Sequence, residues 1–169
     1  AILAEYRAQR DIFAETGSPA LPMGLNIGSQ LHWLGGRLDG SMLLPWAQYW
    51  SWFLCRIASS EVTSLGCHSD LWNPATGAYS AMAKRRGWAS QFAPLAKAGD
   101  VVGKLKPEFG LGNDVNVHCG IHDSNAALVA ARGFAEIEGQ EATVLSTGTW
   151  YIAMRTPAAP VDFSALPEA

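Results

Sequence analysis

Apolar residues recur at helical spacing from the start of the chain. Ile2, Leu3, Tyr6, Ile12 and Phe13 line one side of a single amphipathic helix, closed by Gly17 with Pro19 and Pro22 beyond it. A loop rich in Gly, Pro and Asn over 18–28 leads to a short helix over 29–35 with Leu31 and Leu34 on one side. Met42-Leu43-Leu44 reads as a short apolar strand, and Pro45 stands in the first turn of a helix that ends near Ile57. The stretch 42–57 is the most apolar of the chain and reads as a buried helix, interrupted by Pro45, Gln48 and Ser51; Trp46, Trp50, Trp52 and Trp72 read first as core.

Residues 61–67 form a β-prone run of ambiguous type. Asn73-Pro74-Ala75-Thr76-Gly77 is a turn by composition. Ser80 caps a helix that Gly87 ends, and 99–103 has the glycine pattern of a hairpin or bulged edge. Then come a strand over 116–119, a helix over 124–132, a turn at Gly139-Gln140, and strands over 142–146 and 150–155 joined at Thr147-Gly148-Thr149. Mixed strands and helices predict an α/β fold.

Composition narrows the class. Of 169 residues 49% are hydrophobic and 16% charged, which marks a globular chain with a sizeable core. The net charge is −3 and the basic residues are scattered apart from Lys84-Arg85-Arg86, a solvated helix face, so neither nucleic acid nor a membrane is an expected partner. No apolar run reaches the ~18 residues of a membrane span. Cys55, Cys67 and Cys119 are too few and too widely spaced for a disulfide framework or a structural zinc site. A cytoplasmic protein is expected. The chain opens at Ala1 inside a helical pattern and closes on a Pro- and Ala-rich tail over 156–169, which suggests a piece of a longer polypeptide.

The chemistry concentrates in Val117-His118-Cys119-Gly120-Ile121-His122-Asp123-Ser124-Asn125. An apolar strand runs into a glycine and an acid follows at the start of a helix, at the strand end where open α/β sheets place ligands. Asp123 there is either an N-cap or a base that takes a proton from an attacking alcohol, or both. His118 and His122 are four apart but lie on a strand and turn rather than a helix, which disfavours metal ligation. His122 is placed to orient Asp123 or to line a pocket. Ser146-Thr147-Gly148-Thr149 is a hydroxyl-rich turn, either a plain hairpin bend or a cradle in which Gly148 admits a phosphate to the main chain and to the Thr147 and Thr149 hydroxyls. It is not a Walker A loop, since no Gly-Lys-Ser/Thr occurs. Asn26, flanked by Gly24 and Gly28, either reaches a sugar hydroxyl or braces its own loop. Trp46 or Trp72 is a candidate to stack on a sugar face.

Taken together, the motifs resemble the FGGY family of carbohydrate kinases, in the branch of the rhamnulose and fuculose kinases. His122-Asp123-Ser124 with Ala126-Ala127 resembles its His-Asp-Thr-x-x-Ala segment, and Leu145-Ser146-Thr147-Gly148-Thr149-Trp150 its Ser-Ser-Gly-Thr-Trp segment. Asn26 with Gln30-Leu31 resembles its Asn-Thr-x-Tyr-Gln-Leu loop, with Ser29 in place of Tyr; Thr16-Gly17 and Leu43-Leu44-Pro45 also fall in family order.

The resemblance implies a ribonuclease-H-like, actin-like ATPase fold, present in part. Residues 1–138 would be the later part of a sugar-binding domain and 139–169 the start of a nucleotide-binding domain. It implies ATP and Mg²⁺ as cofactors and a ketose as acceptor, such as the 6-deoxy sugars L-fuculose and L-rhamnulose. Asp123 would be the catalytic base; Asn26, His122 and Trp46 would contact substrate; and Thr147, Gly148 and Thr149 would hold ATP phosphates. The family's first phosphate loop with its magnesium-binding acid, and its Gly-rich adenosine pocket, have no counterpart here, and the linker around Pro107-Glu108-Phe109-Gly110 is short. The isolated piece is therefore expected to be catalytically dead. A catalytically inactive sugar-binding or regulatory homologue is the alternative, and homodimerisation stays open.

Overall fold

The computed structural model describes residues 1–112, 114–148, 151–162 and 165–168. Seven α-helices and six short strands are described: α1 (Ile2–Arg7), α2 (Phe13–Thr16), α3 (Ile27–Leu34), α4 (Trp46–Cys55), α5 (Val62–Gly66), β1 (Trp72–Asn73), β2 (Ala78–Tyr79), α6 (Ala81–Arg85), β3 (Val101–Lys104), β4 (Asn116–His118), α7 (Asp123–Arg132), β5 (Ala142–Thr147) and β6 (Tyr151–Thr156). The strands pair antiparallel as β1 with β2, β3 with β4 and β5 with β6. None of the helices among the described residues is long and apolar enough to cross a membrane.

The core gathers Tyr6, Leu31, Leu71, Met82, Ala83 and Trp88, flanked by Leu3, Ile27, Leu43, Tyr79 and Phe92. Full burial of a side chain such as Leu71 contributes about 1.5–3 kcal/mol over leaving it exposed. At the centre sits a charged cluster. Asp70 is fully buried and accepts the Tyr6 hydroxyl at 2.5 Å and two Arg10 nitrogens at 3.0 Å each.

That cluster explains the first departure from the sequence expectation. One helix was expected through Ile12 and Phe13, yet α1 stops at Arg7 and α2 restarts at Phe13. The break turns Arg10 toward Asp70 and Asp11 toward α6. Asp11 Oδ2 accepts the Met82 N–H at 2.6 Å and Oδ1 accepts from Arg85 at 2.9 Å. Two buried carboxylate contacts outweigh the few hydrogen bonds a continuous helix would add. Gly17 ends α2 in the left-handed conformation, as its position suggested.

The β-prone residues 61–67 also fold against expectation, into α5. Glu61 caps the helix, its carboxylate accepting from the Thr63 and Ser64 N–H groups, and this local bonding overrides β-propensity. The strand expected at Leu43 is only an isolated parallel bridge to Phe92. The bulged edge expected over 99–103 holds most of β3, whose register breaks between Val101 and Gly103 where it pairs with the next strand, β4.

Helix α4 is the largest reversal. Its polar residues Gln48 and Ser51 are buried, and Trp46, Tyr49 and Trp50 are exposed. Gln48 and Ser51 face the end of β4, where main-chain carbonyls need donors. Trp46 and Trp50 are therefore not core, although Trp72 is. Ser80 caps α6 through the Ala83 N–H at 3.1 Å.

Candidate active site

Strand β4 delivers the chain into the turn that carries Asp123. Beyond it, Cys119 N donates to Asp100 O at 2.9 Å and Gly120 N to Ala98 O at 3.1 Å, which extends the ladder by two residues. Gly120 then turns with φ +85°, a conformation that a Cβ disfavours. Side chains of two helices grip this turn. From α4, Gln48 Nε2 donates to the Cys119 and Gly120 carbonyls at 3.2 Å each, and Ser51 Oγ donates to Cys119 O at 3.0 Å. From α5, Thr63 Oγ1 accepts the His122 N–H at 3.1 Å. The same hydroxyl donates to Glu61 Oε2 at 2.5 Å.

Asp123 is the first residue of α7, and His122 is its N-cap. The expected N-cap role of Asp123 is thus shifted by one position. His122 Nδ1 lies 3.3 Å from Ser124 N and 3.1 Å from Asp123 Oδ1. A neutral ring accepts from the amide there, and a protonated ring donates to the carboxylate. Asp123 Oδ1 also accepts from Ser124 N at 2.6 Å. With 92% of its side chain exposed, Asp123 keeps its second oxygen open to solvent.

Beside this helix start lies a cavity of about 450 Å³. Ser124, Asn125 and Leu128 of α7 form one wall, and Val62, Thr63 and Gly66 of α5 another, continued by Cys67 and His68. Trp72 and Pro74 add a third, and Ile152 and Met154 of β6 close the far side. Burial, and then the Asp123 charge, push the Cys67 thiol above its ordinary value. Burial, and then neighbouring His122, lower the His68 imidazole, which favours its neutral form. His68 holds φ +51°, uncommon for a residue with a side chain.

The hairpin β5–β6 turns one face inward. Ala142, Val144 and Ser146 on β5 and Ile152, Met154 and Thr156 on β6 are half-buried, and the alternate residues are exposed. Thr147 ends β5 opposite Tyr151, and among the described residues no atom beyond its chain neighbours lies within 4 Å of where a Gly148 Cβ would stand. Thr149, the third residue of the expected phosphate cradle, and Trp150 lie outside the described residues.

The structure brings His122 and Asp123 together at the helix start beside the cavity, whose lining includes Ser124, Asn125 and, from the hairpin, Ile152 and Met154, but not His122, Asp123, Thr147 or Gly148. Asn26 and Trp46 do not line that cavity. Asn26 is buried and braces its loop: Oδ1 accepts the Leu21 N–H at 2.9 Å, and Nδ2 donates to Pro19 O at 2.9 Å and His68 O at 3.2 Å. Trp46 is 73% exposed and stacks on Tyr49 with ring centroids 5.7 Å apart. His118 bonds Gly99 O through Nδ1 at 2.8 Å, away from His122. Among the described residues no group of three His, Cys, Asp or Glu is placed to hold a metal ion. Sequence reasoning missed Gln48, Ser51, Glu61, Thr63, Cys67 and His68. A polar pair three residues apart on an otherwise aromatic helix was the signal for the first two; nothing in the local pattern marked His68.

Solved structures similar to this chain include three sugar kinases. A carbohydrate kinase from Novosphingobium aromaticivorans is 65% identical, with a TM-score of 0.94 over 99% of this chain and 38% of that one. A ligand-bound xylulose kinase from Lactobacillus acidophilus is 16% identical, with a TM-score of 0.64 over 78% of this chain and 29% of that one. A xylulose kinase from Rhodospirillum rubrum is 20% identical, with a TM-score of 0.64 over 77% and 29%. The last two bear on fold alone. This chain thus spans well under half the length of each neighbour. No family model matches it, and no curated protein does. The architecture shared with these neighbours is the actin-like ATPase fold, present here in part.

Proposed function

We propose that this chain is part of an ATP-dependent carbohydrate kinase of the FGGY family, passing the γ-phosphoryl group of ATP to a hydroxyl of a ketose. The observation that carries the reading is a solvent-open carboxylate, Asp123, at the start of a helix whose next two residues line a cavity shared with a glycine-bearing hairpin. Identity of 65% to a carbohydrate kinase supports it. Residues 1–138 then supply the later part of the sugar-binding domain, and 139–169 open the nucleotide-binding domain of a cytoplasmic enzyme.

In this reading the acceptor sugar lies in the cavity with its hydroxyl at Asp123. The carboxylate orients that hydroxyl and takes its proton as the oxygen attacks phosphorus. Thr147, Gly148 and Thr149 hold the ATP phosphates, and the open space over Gly148 fits an anion approaching the main chain. ATP supplies the transferable phosphoryl group. The described residues form no magnesium cage, so no step is assigned to the metal. His122 orients Asp123, while Asn26 and Trp46 act outside the sugar cavity.

The lining favours a sugar with one apolar end. Thr63, His68, Ser124 and Asn125 present polar groups, and Val62, Leu128, Ile152 and Met154 present hydrocarbon. A 6-deoxy ketose such as L-fuculose or L-rhamnulose matches that division. The test is Asp123→Asn in the full-length gene product containing this sequence, assayed for ADP release with L-fuculose, L-rhamnulose and D-xylulose. Turnover should fall by about two to four orders of magnitude with ATP affinity unchanged. Wild-type turnover by the variant refutes the role of Asp123.

A further inference from the structure

We infer that Thr63, oriented by Glu61, is a positioning residue that fixes the attack geometry of Asp123 through the His122 main chain. The inference rests on the kinase reading and deepens it. Glu61 is buried, and its Oε2 accepts from three donors of α5: the Thr63 and Ser64 N–H groups and the Thr63 hydroxyl. Glu61 Oε2 accepts two amide N–H groups, and the Thr63 hydroxyl donates to the same oxygen. That donation turns the hydroxyl's lone pairs outward, and one receives the His122 N–H at 3.1 Å. A hydroxyl already donating to a carboxylate is a stronger acceptor than a free one.

The bond lands on the amide immediately before Asp123. The preceding carbonyls, of Cys119 and Gly120, are held by Gln48 and Ser51 from the opposite side. Asp123 itself is exposed, and its partners, the His122 ring and the Ser124 amide and hydroxyl, are its sequence neighbours, so its aim follows the backbone that carries all three. Its position is therefore set by where residues 119–122 are clamped. Thr63 is the only described side chain given a hydrogen bond to the His122 amide. It also lines the sugar cavity, so one residue couples the acceptor pocket to the base.

The experiment compares Thr63→Val and Thr63→Ser in the full-length gene product, with sugar and ATP kinetics, thermal unfolding, and the ¹⁵N–¹H shift of the His122 amide. Valine keeps the volume and removes the acceptor; serine keeps the hydroxyl. Thr63→Val should lower kcat about tenfold or more, since small misplacements of a reacting group cost up to about 10²-fold. KM for ATP should stay unchanged, the His122 amide resonance should move upfield, and Thr63→Ser should restore kcat to within about threefold of wild type. Wild-type kcat for Thr63→Val overturns the inference. So does equal loss in both variants, or a loss that tracks only the folded fraction. An unsubstituted enzyme inactive on every sugar overturns the kinase reading instead, and is distinguishable because no variant comparison then arises.

Discussion

Replacing Asp70 by Asn tests whether the buried charge cluster, rather than apolar packing alone, sets the geometry of the N-terminal region. Asp70 sits at φ +64°, a left-handed conformation that Asn adopts readily, so the substitution leaves the backbone unstrained and removes only the charge and one acceptor. In the native cluster the Arg10 side chain is 9% exposed and the Asp70 side chain 0%. After Asp70→Asn the guanidinium keeps Ser18 O at 2.6 Å and the more exposed Glu168 carboxylate at 3.0 Å but loses the buried one. The new amide group also points a donor either at Arg10, which has only donors to offer, or at the Tyr6 hydroxyl, which must then turn to accept. Breaking a buried pair by removing one partner costs about 3–5 kcal/mol. For a chain of this size each kcal/mol lowers Tm by about 2–4 °C, so the expected drop is roughly 6–20 °C. Urea unfolding followed by tryptophan fluorescence reads it, since Trp72 and Trp88 are buried nearby. Tyr6→Phe alone should cost about 1.5–3 kcal/mol, the value of a hydrogen bond to a charged group. It should cost distinctly less in the Asp70→Asn background, because the two share one interaction. A loss under about 1 kcal/mol for Asp70→Asn, or strict additivity of the pair, refutes the reasoning.

Two further outcomes follow from the same region. Burial first, then the hydrogen bond to Asp70, hold the Tyr6 phenol far above its ordinary value of 10.0. Its contribution is present in full below pH 10 and is lost as pH rises above it, because the unfolded chain ionises first; urea midpoints should fall more steeply above pH 10 in the wild type than in Tyr6→Phe, and parallel slopes would contradict this. Gly28→Ala places a Cβ 2.5 Å from the Tyr6 hydroxyl, 3.1 Å from Ser69 O and 3.2 Å from Met82 Cε. Overpacking of that kind costs about 1–3 kcal/mol, and a thermal midpoint within 1 °C of wild type would show that the close approach is not constraining.

Elements whose signals are local were readable from the chain. Ser80 and Gly87 bracket α6, Gly17 ends α2, and the strand, glycine and helix around Asp123 fall where hydrophobic pattern and turn chemistry put them. Long-range partners hid the rest. Nothing near Arg10 reveals that Asp70, sixty residues away, draws it inward and breaks the first helix. The burial of Gln48 and Ser51 under an aromatic helix makes sense only once the Cys119 and Gly120 carbonyls are in place. Glu61 overrides the β-branched Val62 and Thr63 because its carboxylate caps two amides at once, a choice that composition does not show. Asn26 looked equally suited to a ligand or to its own loop, and only the positions of Leu21, Pro19 and His68 decide that it braces the loop.

The grip on residues 119–122 falls on carbonyls and an amide, atoms that every residue type carries. Ile121 is thus free to change without loosening the bend, whereas Gln48, Ser51 and Thr63, remote in sequence, are not. Selection for a new acceptor can rework the surroundings of the carboxylate one side chain at a time while its aim stays constant. Geometry is stored in one set of positions and taste in another.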